Sequence, residues 1–200
     1  MLVEFGLLAS LAVFAFTMSA SPGPNNTVLL AQSAQHGVRH ALPYYGGILV
    51  GMGALLLAFG SGLGAVFVAA PWLLEVLRWV GFAYLLFLAW RIGTAAPPDA
   101  SANSAKPVGF LASVGFQWLN PKAWVAIGVY FTSYVPTDQG FGWVVIGSLV
   151  FVAMIVPGSA LWLFAGRALS RVVHNLRAHR IFSVAMAVAL ILSMLPVLFV

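Results

Sequence analysis

A chain of 200 residues that is 62% apolar and 6% charged, with a mean hydropathy of +1.02, lies outside the range of soluble domains and belongs to the integral membrane class. Its formal net charge of +5 comes from Lys and Arg scattered among loops rather than along one face, which argues against nucleic acid as a partner. The absence of cysteine excludes disulfides and thiol chemistry.

Stretches long and apolar enough to cross a bilayer fall near 6–36, 43–69, 72–92, 109–135, 141–166 and 181–199. The first is read as a retained helix, not a cleaved leader. "MLVEFG" carries Glu4 in place of a basic start, and a cut after Ser19, Ala20 or Ser21 would leave Pro22 at or beside the new terminus. This span is interrupted at its centre by "SPGPNN", residues 21–26, which holds the residues least suited to continuing a helix.

The second span carries "GGILVGMG" and "GSGLG", small residues four apart that allow helices to approach closely. Glu75 and Arg78 lie one turn apart in the third. Their spacing predicts an ion pair near the outer end of the helix, with proton coupling through Glu75 as the functional alternative. Tyr44, Tyr45, Trp72, Trp90, Tyr134 and Trp143 fall near expected interfaces and read as an aromatic belt. "GTAAPPDASANSAKP", residues 93–107, is a cytoplasmic linker between residues 1–92 and 108–200, three spans on each side within one transmembrane domain.

The fourth span is broken too, in "FQWLNPKAW". Two broken helices thus stand first in each half, and an odd number of spans per half sets the second half upside down relative to the first. The expected fold class is an all-α integral membrane protein: six transmembrane helices in two inverted three-helix repeats, with helices 1 and 4 broken at mid-membrane.

Each break reads as a helix start. Pro24 suits the first helical position after Gly23, and Asn120 with Pro121 is an N-cap followed by an N1 proline. The positive ends of two helix dipoles would then meet near the midplane and favour an anionic group. Lys122 adds a full charge there, and a lysine at a helix centre is penalised by roughly 2.5–3.5 kcal/mol unless it lines a wet cavity or meets an anion. The carbonyls ending the upstream half-helices, near Ala20 and Leu119, are expected to be free for a substrate ammonium. Asn25, Asn26 and Gln117 supply neutral hydrogen-bonding groups, with no Asp or Glu nearby to hold a second positive charge. Those features point to a neutral amino acid. The competing reading is that the breaks are kinks that allow close packing, their freed backbone groups satisfied by neighbours.

"SPGPNN", "HGVRHA", "LRWVGFAYLLFLAWRIG" and "NPKAW" resemble the lysine exporter (LysE) superfamily in its homoserine and threonine efflux (RhtB) branch. "PGPNN", "KPVGFLAS" after the linker and "QWLNPK" are most similar to the cysteine and O-acetylserine exporters. The resemblance implies a proton-driven secondary transporter of the bacterial inner membrane that exports small neutral amino acids or derivatives. It carries Pro22, Gly23, Pro24 and Asn25 over from one motif and Asn120, Pro121 and Lys122 from the other. Some relatives have Asp where this chain has Asn25, which leaves the proton carrier open, with Glu75 as the candidate.

A membrane-embedded enzyme is the main rival, but His36, His40, His174 and His179 all fall in expected cytoplasmic loops. His36 and His40 have metal-pair spacing without an acidic third ligand, so neither a metal nor another cofactor is expected. A structural helix bundle without transport activity is the second rival. The expected partners are the lipid bilayer and the substrate, and the small-residue faces permit a homodimer.

Arg39, Arg91, Lys106, Arg167, Arg171, Arg177 and Arg180 fall after the first, third and fifth spans, and no Lys or Arg follows the second or fourth. Basic residues stay cytoplasmic, so both termini are expected outside. A topology reporter fused after Val200 checks this: periplasmic activity is expected, and activity confined to the cytoplasm would overturn both the orientation and the inverted halves.

Overall fold

The computed structural model describes residues 2–95, 106–170 and 175–193, and the described residues are helical wherever they are regular. In chain order the helices are α1 (Leu2–Ala20), α2 (Pro24–His36), α3 (Val38–Ala58), α4 (Gly64–Ala69), α5 (Trp72–Gly93), α6 (Phe110–Leu119), α7 (Pro121–Ser133), α8 (Phe141–Ser170) and α9 (Leu176–Leu192). A π-helical turn, Phe59–Leu63, joins α3 to α4. Val38–Ala69, Trp72–Gly93 and Phe141–Ser170 are each long and apolar enough to cross a bilayer, and α1 with α2 makes a fourth such stretch bent by 55°. Large side chains such as Leu111, Val68, Phe5 and Ile181 stand exposed around the outside, as lipid as solvent permits. The protein is an all-helical, multi-pass membrane protein.

Both breaks form where their prolines require. Pro22 lacks an N–H, so α1 stops before it, and Pro24 begins α2 at the position where a missing N–H costs nothing. At the second break the Asn120 side chain accepts from the Lys122 backbone N–H at 3.1 Å, an N-cap that starts α7 on Pro121. Gly37, at φ 82°, turns the chain from α2 directly into α3, a conformation that a side chain would strain.

Several expected loops are therefore helix. Arg39 and His40 lie in the first turn of α3, Arg91 near the end of α5, Arg167 in α8, and Arg177, His179 and Arg180 in α9. His36 closes α2, and His179 is buried. Backbone hydrogen bonding continues past the point where hydropathy falls, so a span inferred from apolar residues is shorter than its helix. Arg171, His174, residues 96–105 of the linker and residues 194–199 of the sixth span lie outside the described residues.

α1 and α2 pack along α8, α6 packs along α3, and α5 along α9. Small residues set these distances. A Cβ on Gly51 of α3 would stand 2.5 Å from Gln117 Cγ and 2.9 Å from the Val114 carbonyl of α6, and one on Gly166 of α8 would collide with the Leu30 carbonyl of α2. Hydroxyl groups fasten the same contacts: Ser113 donates to the Tyr44 carbonyl at 2.7 Å and Ser33 to the Leu163 carbonyl at 2.6 Å. Near Pro157 of α8, Ser19 donates to the Met154 carbonyl and Tyr45 to the Val156 carbonyl.

Overpacking of such a contact costs about 1–3 kcal/mol. Gly166→Ala is expected to lower the thermal unfolding midpoint in detergent, whereas Gly128→Ala, with nothing within 4 Å of the added carbon, is expected to leave it unchanged or slightly raised. Equal midpoints for the two variants would show that the α2–α8 spacing is not set by the glycine.

Candidate functional site

The two breaks meet. Lys122, in the first turn of α7, reaches across to the end of α1, where its ammonium donates to the Ser21 carbonyl at 2.8 Å, the Ser21 hydroxyl at 2.7 Å and the Pro22 carbonyl at 3.1 Å. The two carbonyls are groups that a helix end leaves without intrahelical partners, so the lysine caps α1 from the other half of the chain. Gly23 makes room for it: a Cβ there would stand 2.9 Å from Lys122 Cδ and 3.1 Å from its Nζ.

Beside the lysine, three side chains close a small network. Asn25 donates to Gln117 Oε1 at 2.8 Å, Gln117 donates back to Asn25 Oδ1 at 3.2 Å, and the Tyr44 hydroxyl donates to the same oxygen at 3.2 Å. Gln117 also donates to the Ser113 carbonyl. Asn26 turns the other way and donates to the carbonyls of Ser19 at 2.6 Å and Ser21 at 2.8 Å. Trp162 of α8 donates to the Ala20 carbonyl at 2.9 Å.

A cavity opens at this junction. Gly23, Asn25, Asn26, Asn120 and Lys122 line it, with Met18, Met52, Phe151 and Ile155 forming much of its apolar wall and Ser19 and Ser159 adding hydroxyls. No Asp or Glu is among its lining residues. Gln117 stands behind Asn25, and Pro22, Pro24 and Pro121 shape the breaks without lining the cavity. Glu75 is elsewhere, in the exposed first turn of α5, 3.3 Å from Arg78 and accepting from the Trp79 indole at 2.7 Å.

Two expectations are corrected here. The α1 carbonyls are not free for a substrate ammonium, because Asn26, Trp162 and Lys122 occupy them, and at the α6 end the Trp124 indole takes the Trp118 carbonyl at 3.0 Å. Backbone groups freed inside a bundle are satisfied by whatever donor packs nearest. Tyr44 is not a belt residue. It is fully buried and bonded to Asn25, since α3 starts at Val38, five residues before the expected span, and carries Tyr44 inward.

Sequence reasoning passed over Ser21, although it belongs to "SPGPNN", and it missed Ser159 and Trp162 of α8. The "PGSALW" run that holds these two, another proline-glycine pair within an apolar span, was the available signal.

The model of the LysE type translocator family matches residues 16–200. The cysteine/O-acetylserine efflux protein of Salmonella typhimurium (strain LT2) is 31% identical over 166 residues, covering 82% of this chain and 85% of its own. The protein of that name from Escherichia coli (strain K12) is 32% identical over 168 residues with the same coverage. No solved structure matches. The chain belongs to the LysE family of translocators and falls with its cysteine/O-acetylserine efflux relatives; it is a transporter, not an enzyme.

Removing the cap tests its structural weight. Asn120→Ala is expected to cost about 1 kcal/mol through the lost N-cap, and Lys122→Met about 1–3 kcal/mol, because it leaves the Pro22 carbonyl without its donor while Asn26 still serves Ser21. Thermal unfolding in detergent measures both, and a Lys122→Met protein as stable as wild type would show that the α1 end finds another donor.

Proposed function

We propose that this chain is a proton-coupled secondary transporter that exports small neutral amino acids or their derivatives across the bacterial inner membrane, cysteine and O-acetylserine being the first substrates to test. In this reading it has six spans in two inverted repeats, residues 1–92 and 108–200, joined by the cytoplasmic linker 93–107, with both termini outside. The pairing of helices supports the inversion: α1 lies along α8 as α6 lies along α3, the same contact with the halves exchanged. The cysteine/O-acetylserine efflux relatives support the substrate class.

One observation carries the reading. The Lys122 ammonium lines the cavity, yet its three hydrogen-bond partners are all neutral and no carboxylate lines the walls. An ammonium held away from bulk water by neutral acceptors alone is a standing attraction for an anion. A substrate carboxylate supplies one, aided by the N-termini of α2 and α7 that begin at Pro24 and Pro121. The substrate ammonium is received by the Ser159 hydroxyl oxygen in the cavity wall, not by the α1 carbonyls. Met18, Met52 and Phe151 take a short apolar or polarizable side chain. A second positive charge has no partner there, which disfavours lysine and arginine. Glu75, paired with Arg78 outside the cavity, fits an interfacial anchor better than a coupling group.

The test is export from vesicles loaded with O-acetylserine or cysteine under an imposed pH gradient. Lys122→Gln keeps the shape and removes one charge from a charge-assisted contact worth roughly 1.5–3 kcal/mol, so apparent affinity is expected to fall about tenfold to a hundredfold. Lys122→Arg is expected to retain part of the function. A substrate methyl ester, lacking the anion, is expected to be a poor substrate for the wild type and to lose little more in the Gln variant. The alternative that the three bonds to Ser21 and Pro22 favour is a purely structural cap, and undiminished export by Lys122→Gln at equal expression would establish it.

A further inference from the structure

A second, smaller cavity lies between α2, α5 and the chain leading into α6. Gln32 and His36 of α2, Leu88 and Arg91 of α5, and Lys106 line it. Gln32 is 3% exposed, and neither its amide nitrogen nor its amide oxygen has a hydrogen-bond partner among the described residues. A buried primary amide unpaired at both ends is rare, because each end forfeits the hydrogen bonds it made in water. Its neighbours on the helix behave differently: Gln35 spends its amide on Ser183 at 3.1 Å and the Ile92 carbonyl at 3.4 Å.

Among the described residues, the charge around this amide has one sign. The Arg91 guanidinium is held at the rim by donating to the Lys106 carbonyl and by the Phe87 ring, 5.8 Å from its centroid, and Lys106 stands beside it. His36 lines the same space, and no described Asp or Glu does. A donor-acceptor amide inside and two cations at the mouth are the complement of a small carboxylate that also carries a donor.

We propose that this cavity is a second amino-acid site, a loading site on the cytoplasmic side of the central one, in which Arg91 and Lys106 hold the carboxylate and Gln32 bonds the ammonium and a carboxylate oxygen. It rests on the export reading above. Geometry links the two sites: Gln32 is seven residues from Asn25, two turns of α2 or about 10 Å along nearly the same face. Val28 lies between them on the same helix, fully buried and lining the second cavity. A shift of α2 that carries Val28 aside would let the carboxylate pass from Arg91 to Lys122.

The experiment is titration calorimetry of the purified full chain with O-acetyl-L-serine, and separately with acetate, alongside vesicle export. Wild type is expected to bind two molecules of O-acetyl-L-serine per chain. Gln32→Leu and Arg91→Gln are each expected to lose one of these and to raise the cytoplasmic-side KM roughly tenfold with little change in maximal rate, a loss on the scale of one hydrogen-bonded contact. Lys122→Gln should weaken the other site. Gln32→Leu fills the same space without polar atoms, so a merely structural glutamine would leave binding and KM unchanged, and that result overturns the site. Acetate separates the two readings: acetate binding lost in Gln32→Leu supports the site even if no amino acid is exported, whereas wild type binding neither probe at this cavity overturns it.

Discussion

The lysine that joins the two breaks is the constraint on which the rest of the structure depends. Lys122 is placed by the start of α7, yet its ammonium closes the end of α1, some hundred residues away in the chain. An ammonium inside a bundle needs acceptors, and a helix that stops inside a bundle needs donors. Each break supplies what the other lacks, so neither half-helix pair is complete alone. Gly23 follows from the same contact, since a side chain there would stand where the lysine does.

Close packing by small residues does the second part of the work. In lipid there is little hydrophobic drive between helices, so contact area and polar fastening decide which helices meet. Gly47 and Gly51 bring α3 against α6, and Gly158 and Gly166 bring α8 against α1 and α2. Where backbones come this near, a serine or tyrosine hydroxyl can reach a carbonyl on the neighbouring helix, and Ser113, Ser33 and Tyr45 do so. These contacts fix where the helix ends meet inside the bundle, and a binding site needs such rigid support.

The polar interior is divided by function. Gln117 and Trp162 are bonded to backbone or to another amide, and the Asn26 amide nitrogen is spent on two α1 carbonyls, so these groups define shape. Lys122 donates only to neutral groups, so its charge has no counter-ion among the described residues, and Gln32 is bonded to none of them. Both belong to surroundings without a carboxylate among the described residues. The one described carboxylate–guanidinium pair, Glu75 with Arg78, sits in the exposed first turn of α5.

Much of this was legible in the residues. The apolar spans, the two proline breaks, the N-cap of Asn120 and the importance of Lys122 follow from local chemistry: proline lacks a donor, asparagine caps, and lysine in lipid needs a reason. Family membership was readable from "SPGPNN" and "NPKAW" for the same cause, since motifs of this kind are local. What only the tertiary structure decided is who meets whom. That Lys122 caps α1, that Tyr44 turns inward to Asn25 and that Trp162 occupies Ala20 depend on the register of α3 and α8 against the breaks. That register is set by glycine contacts distributed over the whole chain, and no window of sequence contains both sides of any of them.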